Sequence, residues 1–398
     1  MKRLIFMTIL VMTSCGVTEI GGESTSASSS GGIWGGPLTD VTNPLEQTCY
    51  LTAFDYQKGY DWRVNQAKEN VKCSLVVYAN GVPVMKVPVG EAYQIGDDPD
   101  MHRVIDGHLY TDYSTDSLTI IKRDGSYLLS YLGRETICGF SVLGENIYTV
   151  GQNRNGRGFS YRRNGEIVIS RESGVVMGVS KGAGDSLSFA FYDSIISSEG
   201  NVDRYYVVRH GKVMQIAVRE DVTKVWAIGF KGQSVVYLAS VLGVSAPVLF
   251  IGNEMKALSL PQGATLISAS LYCDREQTCV EVIYRRGKEL YTALWLNGTV
   301  LKTFSSGQMV NSLCVVENGI CCTAQSGTKG TPCTIYRCGE IYTVPNDYSC
   351  IGHESIAMVN GILHVGLSST AGDRPILWKD GQMDTLKING YISGVFVH

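Results

Sequence analysis

A short apolar run, an Asn-Gly or Asp-Gly pair or a near variant, and a second apolar run recur along this chain at an almost constant interval. The glycine of each copy falls at Gly81, Gly125, Gly165, Gly211, Gly252, Gly298, Gly339 and Gly381, giving intervals of 44, 40, 46, 41, 46, 41 and 42 residues. Such pairs between alternating apolar positions specify tight hairpins, because a type I′ turn needs positive φ at both central residues and Asn, Asp and Gly tolerate it best. A second, weaker turn precedes each of the last seven copies, as in "VIDGHLYTD", "VLGENIYTV" and "VENGICCTA". Each unit therefore reads as strand, tight turn, strand, longer loop, strand, tight turn, strand, with no helical period in it.

Four antiparallel strands in about 43 residues correspond to one blade of a β-propeller. The chain ends on "YISGVFVH", which matches the first strand of a unit, as in "ICGFSV", "WAIGFK" and "LISASL". Tyr50 to Val87 supplies only strands two to four. The expectation is an all-β propeller of eight four-stranded blades, closed by the C-terminal strand pairing into the N-terminal blade; seven blades follow if the first unit lies outside the ring. Closure is favoured because a stack of open sheets exposes long edges. The small residues of the first strands place them at the narrow channel. Tyr161, Trp295, Tyr336 and Trp378 recur on third strands, where large rings fill the gap between neighbouring sheets.

Lys2 and Arg3 precede an apolar run from Leu4 to Met12, too short to span a bilayer and suited to an export signal. It ends on "MTSCG", which resembles the lipobox of bacterial lipoproteins, with Met12 where Leu is usual and Cys15 as the lipidated residue. "GGESTSASSSGGIWGG" follows, a Gly/Ser-rich composition that makes a tether and not a core. The expected organisation is a signal over 1–15, a flexible tether over 16–45 and one propeller domain over 46–398. Beyond the signal, 32 Lys+Arg stand against 37 Asp+Glu with no basic block, which argues against a nucleic-acid partner. Eleven cysteines follow Cys15. Cys273 and Cys279 flank "DREQT" and are the pair expected to face each other across a hairpin as a disulfide, whereas the register does not choose a partner among Cys314, Cys321 and Cys322.

The stretches "SVLGENIYTVGQNRNGRGFSYRRNGEIV" and "AMVNGILHVGLSSTAGDRPILWKDG" resemble the repeats of a group of bacterial lipoproteins common in Bacteroidetes, whose propeller units read like "yWkNG" followed by "v.gndvYvaG". The resemblance covers roughly Tyr50 to His398. It implies a propeller in the cell envelope, lipid-anchored in the outer membrane with the side left open, and implies no agreed activity. Several units depart from the pattern, with Arg209-His210 and Arg337-Cys338 in place of Lys-Asn.

In such a blade the tight turns share one face of the ring, and the longer loops and inter-blade links share the other. The longer set here includes "DYQKGYDWRVNQAKENVK", "GQNRNGRGF", "YDSIISSEGNVDR", "VLGVSAP" and "SSTAGDRP". Loops on a rigid scaffold carry binding disproportionately, so this face is the candidate functional surface. Tyr60, Trp62, Arg154, Arg157, Tyr192 and Arg374 lie in or beside these loops, and stacking rings with guanidinium forks suit saccharide or protein recognition. "GQNRNGRG" lacks the Lys-Ser/Thr ending and following helix of a phosphate loop. "DDPD", Asp97 to Asp100, lacks the spacing of a calcium loop, and the histidines show no metal spacing. No cofactor or metal is expected and no residue set nominates a catalytic group. The expected role is a membrane-anchored binding scaffold for a glycan or an envelope protein. A polysaccharide-cleaving enzyme on the same propeller and a purely structural envelope component are the alternatives.

Overall fold

The computed structural model describes residues 47–61, 71–89, 102–114, 117–153, 156–181, 187–197, 200–232, 234–273, 277–316, 319–326, 332–344, 348–350, 354–369 and 374–397. Cys15, Trp62, Arg154, the tether and Asp97 to Asp100 lie outside them.

Eight antiparallel sheets follow one another in chain order. Blade 1 holds Cys49–Tyr56, Cys73–Ala79 and Val82–Pro88, and its innermost strand is the C-terminal Gly390–Val397. Tyr50 lies opposite Phe396 and Leu51 opposite Val395, so the two ends of the chain close the ring as one sheet. Blades 2 to 7 begin with the inner strands His102–Ile105, Glu135–Leu143, Val175–Lys181, Val222–Lys231, Ala264–Cys273 and Gln308–Val316. Blade 8 splits its inner strand into Tyr348–Ser349 and Ile356–Val359, both paired to Ile362–Ser369. Neighbouring inner strands pack on one another from blade 3 to blade 6 and from blade 7 through blades 8 and 1 to blade 2.

The hairpin chemistry matches the turn geometry. Asn80, Asp124, Asn164, His210, Asn297, Cys338 and Asp380 all have positive φ and are followed by a positive-φ glycine, the type I′ pattern. The fifth blade departs from it: its turn is Gly252-Asn253, and of the two only Gly252 has positive φ, which is the type II′ form. At Gly125 the glycine has a second reason, since a Cβ there would meet Val87 Cγ1 of the preceding blade at 2.6 Å.

The Asn or Asp also ties two hairpins together. Asn80, Asp124, Asn164, Asn297 and Asp380 each accept, through Oδ1, a hydrogen bond from the backbone N–H of Cys49, Leu109, Ile147, Thr278 and Leu363 respectively, at 2.8–3.0 Å. Each donates its own N–H to the carbonyl of that same residue. The residue that forms the third turn thus staples it to the start of the second strand. An Asx side chain in the left-handed conformation reaches these groups without strain, whereas Ala or Gly could not accept.

Tyr161, Trp295, Tyr336 and Trp378 are at most 4% exposed and lie in the cores between sheets. Burying each stabilises the ring by roughly 2–3 kcal/mol.

The expected Cys273–Cys279 disulfide is not supported. Cys273 lies opposite Thr278 and Cys279 opposite Tyr272, a one-residue offset that sends the two thiols to opposite faces of the sheet. Both are free.

Candidate functional site

The long-loop face was expected to carry the site, and the residues named for it separate around the ring. Tyr60 is not an available ring. The chain turns back at Gly59, and Tyr60 is buried against Tyr56 at 5.3 Å, with its carbonyl accepting from Asn389 Nδ2 at 3.0 Å. Tyr192 in blade 4 is half-buried and packs on Tyr205 at 6.1 Å. Arg157 of blade 3 and Arg374 of blade 8 are exposed. Blades 1 and 8 are neighbours, as are 3 and 4, but blade 2 separates the two groups. The glycines of "GQNRNGRG" serve their own loop. Gly156 N–H donates to Asn153 O and Gly158 N–H to Gly174 O, so neither is directed at an anion.

The inner strands are where the blades differ. In blade 1 the inner strand is almost wholly buried, and in blade 2 three of four residues are. In blades 5, 6 and 7 the inner strands leave Thr223, Lys224, Thr265, Ile267 and Met309 exposed, Ile267 at 39% and Met309 at 46%. Exposed Leu242 and Val244 stand on the adjoining loop of blade 5. Among the described residues, the inner strands of blades 5 to 7 are therefore more exposed than those of blades 1 and 2.

A β-bulge sets which side chains appear there. In blades 1, 3, 4, 5, 6 and 7 the inner strand carries an extra residue at an equivalent register, Ser393, Cys138, Met177, Trp226, Ile267 and Asn311, and blade 5 carries a second at Thr223. A bulge leaves its extra residue unpaired and re-aims it. Trp226 is the one aromatic among the six at the equivalent register. It is half-buried, its Nε1–H donates to Ser240 Oγ at 2.8 Å, and Lys224 Nζ lies 3.4 Å from the ring centroid. Burial lowers the Lys224 pKa, while the indole face favours the cation. An oriented ring with a cation over it, beside exposed apolar side chains, can hold a ligand that is flat, partly apolar and anionic. Among the described residues no group of three or more His, Cys, Asp or Glu is arranged to hold a metal ion.

In the sequence Trp226 falls in a first strand, a class otherwise rich in small residues. The available signal was its misfit: an indole in "WAIGFK", where "ICGFSV" and "LISASL" carry small or aliphatic residues.

No protein-family model matches the chain and no curated protein matches it. Among solved structures it is similar to dihydro-heme d1 dehydrogenase NirN, with a TM-score of 0.52 at 9% identity over 92% of this chain and 77% of that one. It is similar also to a eukaryotic initiation factor, with a TM-score of 0.50 at 10% identity over 88% of this chain and 98% of that one. The β-propeller domain of the Trilobed protease from Pyrococcus furiosus aligns with a TM-score of 0.45 at 11% identity, covering 75% of this chain and 92% of that domain. At these identities the likeness is one of fold, and the fold is a β-propeller.

Proposed function

We propose that this is a lipid-anchored envelope protein whose propeller binds an acidic saccharide at the long-loop mouth of blades 5 to 7. The observation that carries the reading is Trp226, the extra residue of its bulge, on an arc of the ring whose inner strands leave side chains exposed, with Lys224 over its ring at 3.4 Å. A uronate carboxylate pairs with the Lys224 ammonium group, and the apolar side of the sugar ring rests on the rim of the indole that the lysine and the core leave open. Ser240 holds the indole in place, so little is lost in ordering it on binding. The anchor is Cys15, followed by a tether long enough to hold the ring away from the bilayer.

The test is a titration of the purified propeller with oligogalacturonate, followed by tryptophan fluorescence and calorimetry, with a neutral oligosaccharide alongside. The acidic sugar should bind and the neutral one bind at least tenfold more weakly. Trp226→Ala and Lys224→Ala should each weaken binding about tenfold, or about 1.4 kcal/mol. Equal binding of both sugars, or variants indistinguishable from the parent, would sink the assignment. Shortening of the oligosaccharide during the titration would move the reading to the polysaccharide-cleaving alternative. For the anchor, Cys15→Ala should release the protein from the membrane fraction.

A further inference from the structure

Blade 7 lacks the hydrogen-bonded staple, because Cys338 stands at the left-handed position that Asn or Asp occupies in blades 1, 2, 3, 6 and 8. The backbone half of the staple survives, with Cys338 N–H donating to Ile320 O at 3.0 Å. No side-chain oxygen is present to accept from the second strand. Instead the Cys338 Sγ lies 3.9 Å from the Sγ of Cys321, the residue after Ile320. Gly319 leaves room for this thiol, since a Cβ there would approach Cys338 Sγ at 3.3 Å.

We infer that Cys321 and Cys338 form a disulfide that replaces, covalently, the Asn/Asp staple found in five of the other blades. The sulfurs are in contact at the place where the other blades put a tie, and about 2 Å of further approach makes the bond. Cys338 is exposed and Cys321 is buried, which fixes the order of events. The Cys338 thiolate attacks one sulfur of a donor disulfide, such as oxidised glutathione or an oxidoreductase disulfide, and one donor thiolate leaves. The Cys321 thiolate then attacks Cys338 Sγ and expels the second. Two thiols lose two electrons and two protons; the donor disulfide takes the electrons and becomes two thiols. Burial, with Cys321 next, pushes the Cys338 thiol up to about 11, so the first step quickens as pH rises from 7 to 9.

Cys314 stands directly opposite Cys321 on the inner strand and is the competing partner. This trio has no arrangement suited to a metal ion. The competition makes the assignment testable. Full-length protein, reduced and then incubated with oxidised glutathione at pH 8, should lose about 2 Da without retaining glutathione. Peptide mapping should link Cys321 to Cys338, and the thermal midpoint should rise by several degrees and fall again on reduction. Cys314→Ser should leave the link intact. Cys338→Asn should abolish it while restoring the hydrogen-bonded staple, so that the variant folds and melts above the reduced parent. A stable glutathione adduct on Cys338, or a link mapped to Cys314 and Cys321, would overturn the inference.

Discussion

Asp380 Oδ1 accepts the backbone N–H of Leu363 at 3.0 Å, while the Leu363 carbonyl accepts the N–H of Asp380 at 3.2 Å. Residues 17 apart are joined twice, and the same carboxylate reaches Arg337 of blade 7 at 2.7 Å. One side chain thus sets its own turn, pins the next hairpin and touches the neighbouring blade. Asp380→Ala should cost about 1–2 kcal/mol, through the lost acceptor and the Leu363 N–H left without its partner. Asp380→Asn keeps the acceptor and loses only a half-exposed ion pair, which should cost under about 1 kcal/mol. Urea midpoints of the two variants measure the difference, and equal losses would show that the charge and not the staple matters.

Blade 4 has His210 at the equivalent position, with a φ of 47° and no carboxamide to accept from the start of the second strand. His210→Asn should therefore stabilise the protein by about 0.5–1 kcal/mol, combining an easier left-handed residue with a new acceptor. A thermal midpoint unchanged or lower in His210→Asn would mean that the blade 4 hairpins are held differently.

Arg103 and Glu354 make an ion pair at 2.8 Å between blade 2 and the segment leading into the inner strand of blade 8. Those blades flank blade 1, and the Glu354 carbonyl also accepts the N–H of Val395 on the C-terminal strand at 2.7 Å. The pair is a clasp beside the strand that closes the ring. Arg103 is nearly buried, so Glu354→Ala leaves a cation without its partner and should cost about 3 kcal/mol, whereas the double variant with Arg103→Met should recover part of that loss. Proteolytic release of the C-terminal segment reports the effect locally. Strict additivity of the two substitutions would dismiss the clasp.

The ring was legible in the sequence because its signal is geometric: Asn80, Asp124, Asn164, Asn297 and Asp380 stand where only a few residue types tolerate positive φ. Closure was legible because Gly390–Val397 reads as a first strand without its blade. The candidate site was less legible, because bulges shift register by one residue and the one compositional trace was an indole among first strands of small or aliphatic residues. One such residue moved Trp226 out of a strand of small side chains and made it the odd member of the set. A single-residue offset likewise separated Cys273 from Cys279, which the loop length alone had paired. Tyr60 misled for a different reason: an aromatic in a polar loop is read as exposed until a turn folds it back onto Tyr56.

Glu281 supplies a pH dependence with a defined sign. It is buried between blades 6 and 7, where burial raises its carboxyl from 4.5 to about 7, partly offset by the hydrogen bond it accepts from Tyr272 OH at 3.0 Å. Below pH 4.5 the group is protonated both folded and unfolded and costs nothing. Between 4.5 and 7 the unfolded chain ionises while the folded one holds its proton, so stability falls as pH rises and the loss is complete above 7. The full change is roughly 3 kcal/mol. His102 and His364, whose pKa values burial lowers, add a slope of the opposite sign, so the quantity to measure is the difference between parent and Glu281→Gln. That difference should be small at pH 4 and should grow in favour of the variant up to pH 8. Tyr272→Phe removes the bond that favours the carboxylate and should extend the parent's decline to higher pH. A difference between parent and Glu281→Gln that stays flat across this range would mean the carboxyl ionises in the folded protein as freely as in the unfolded chain.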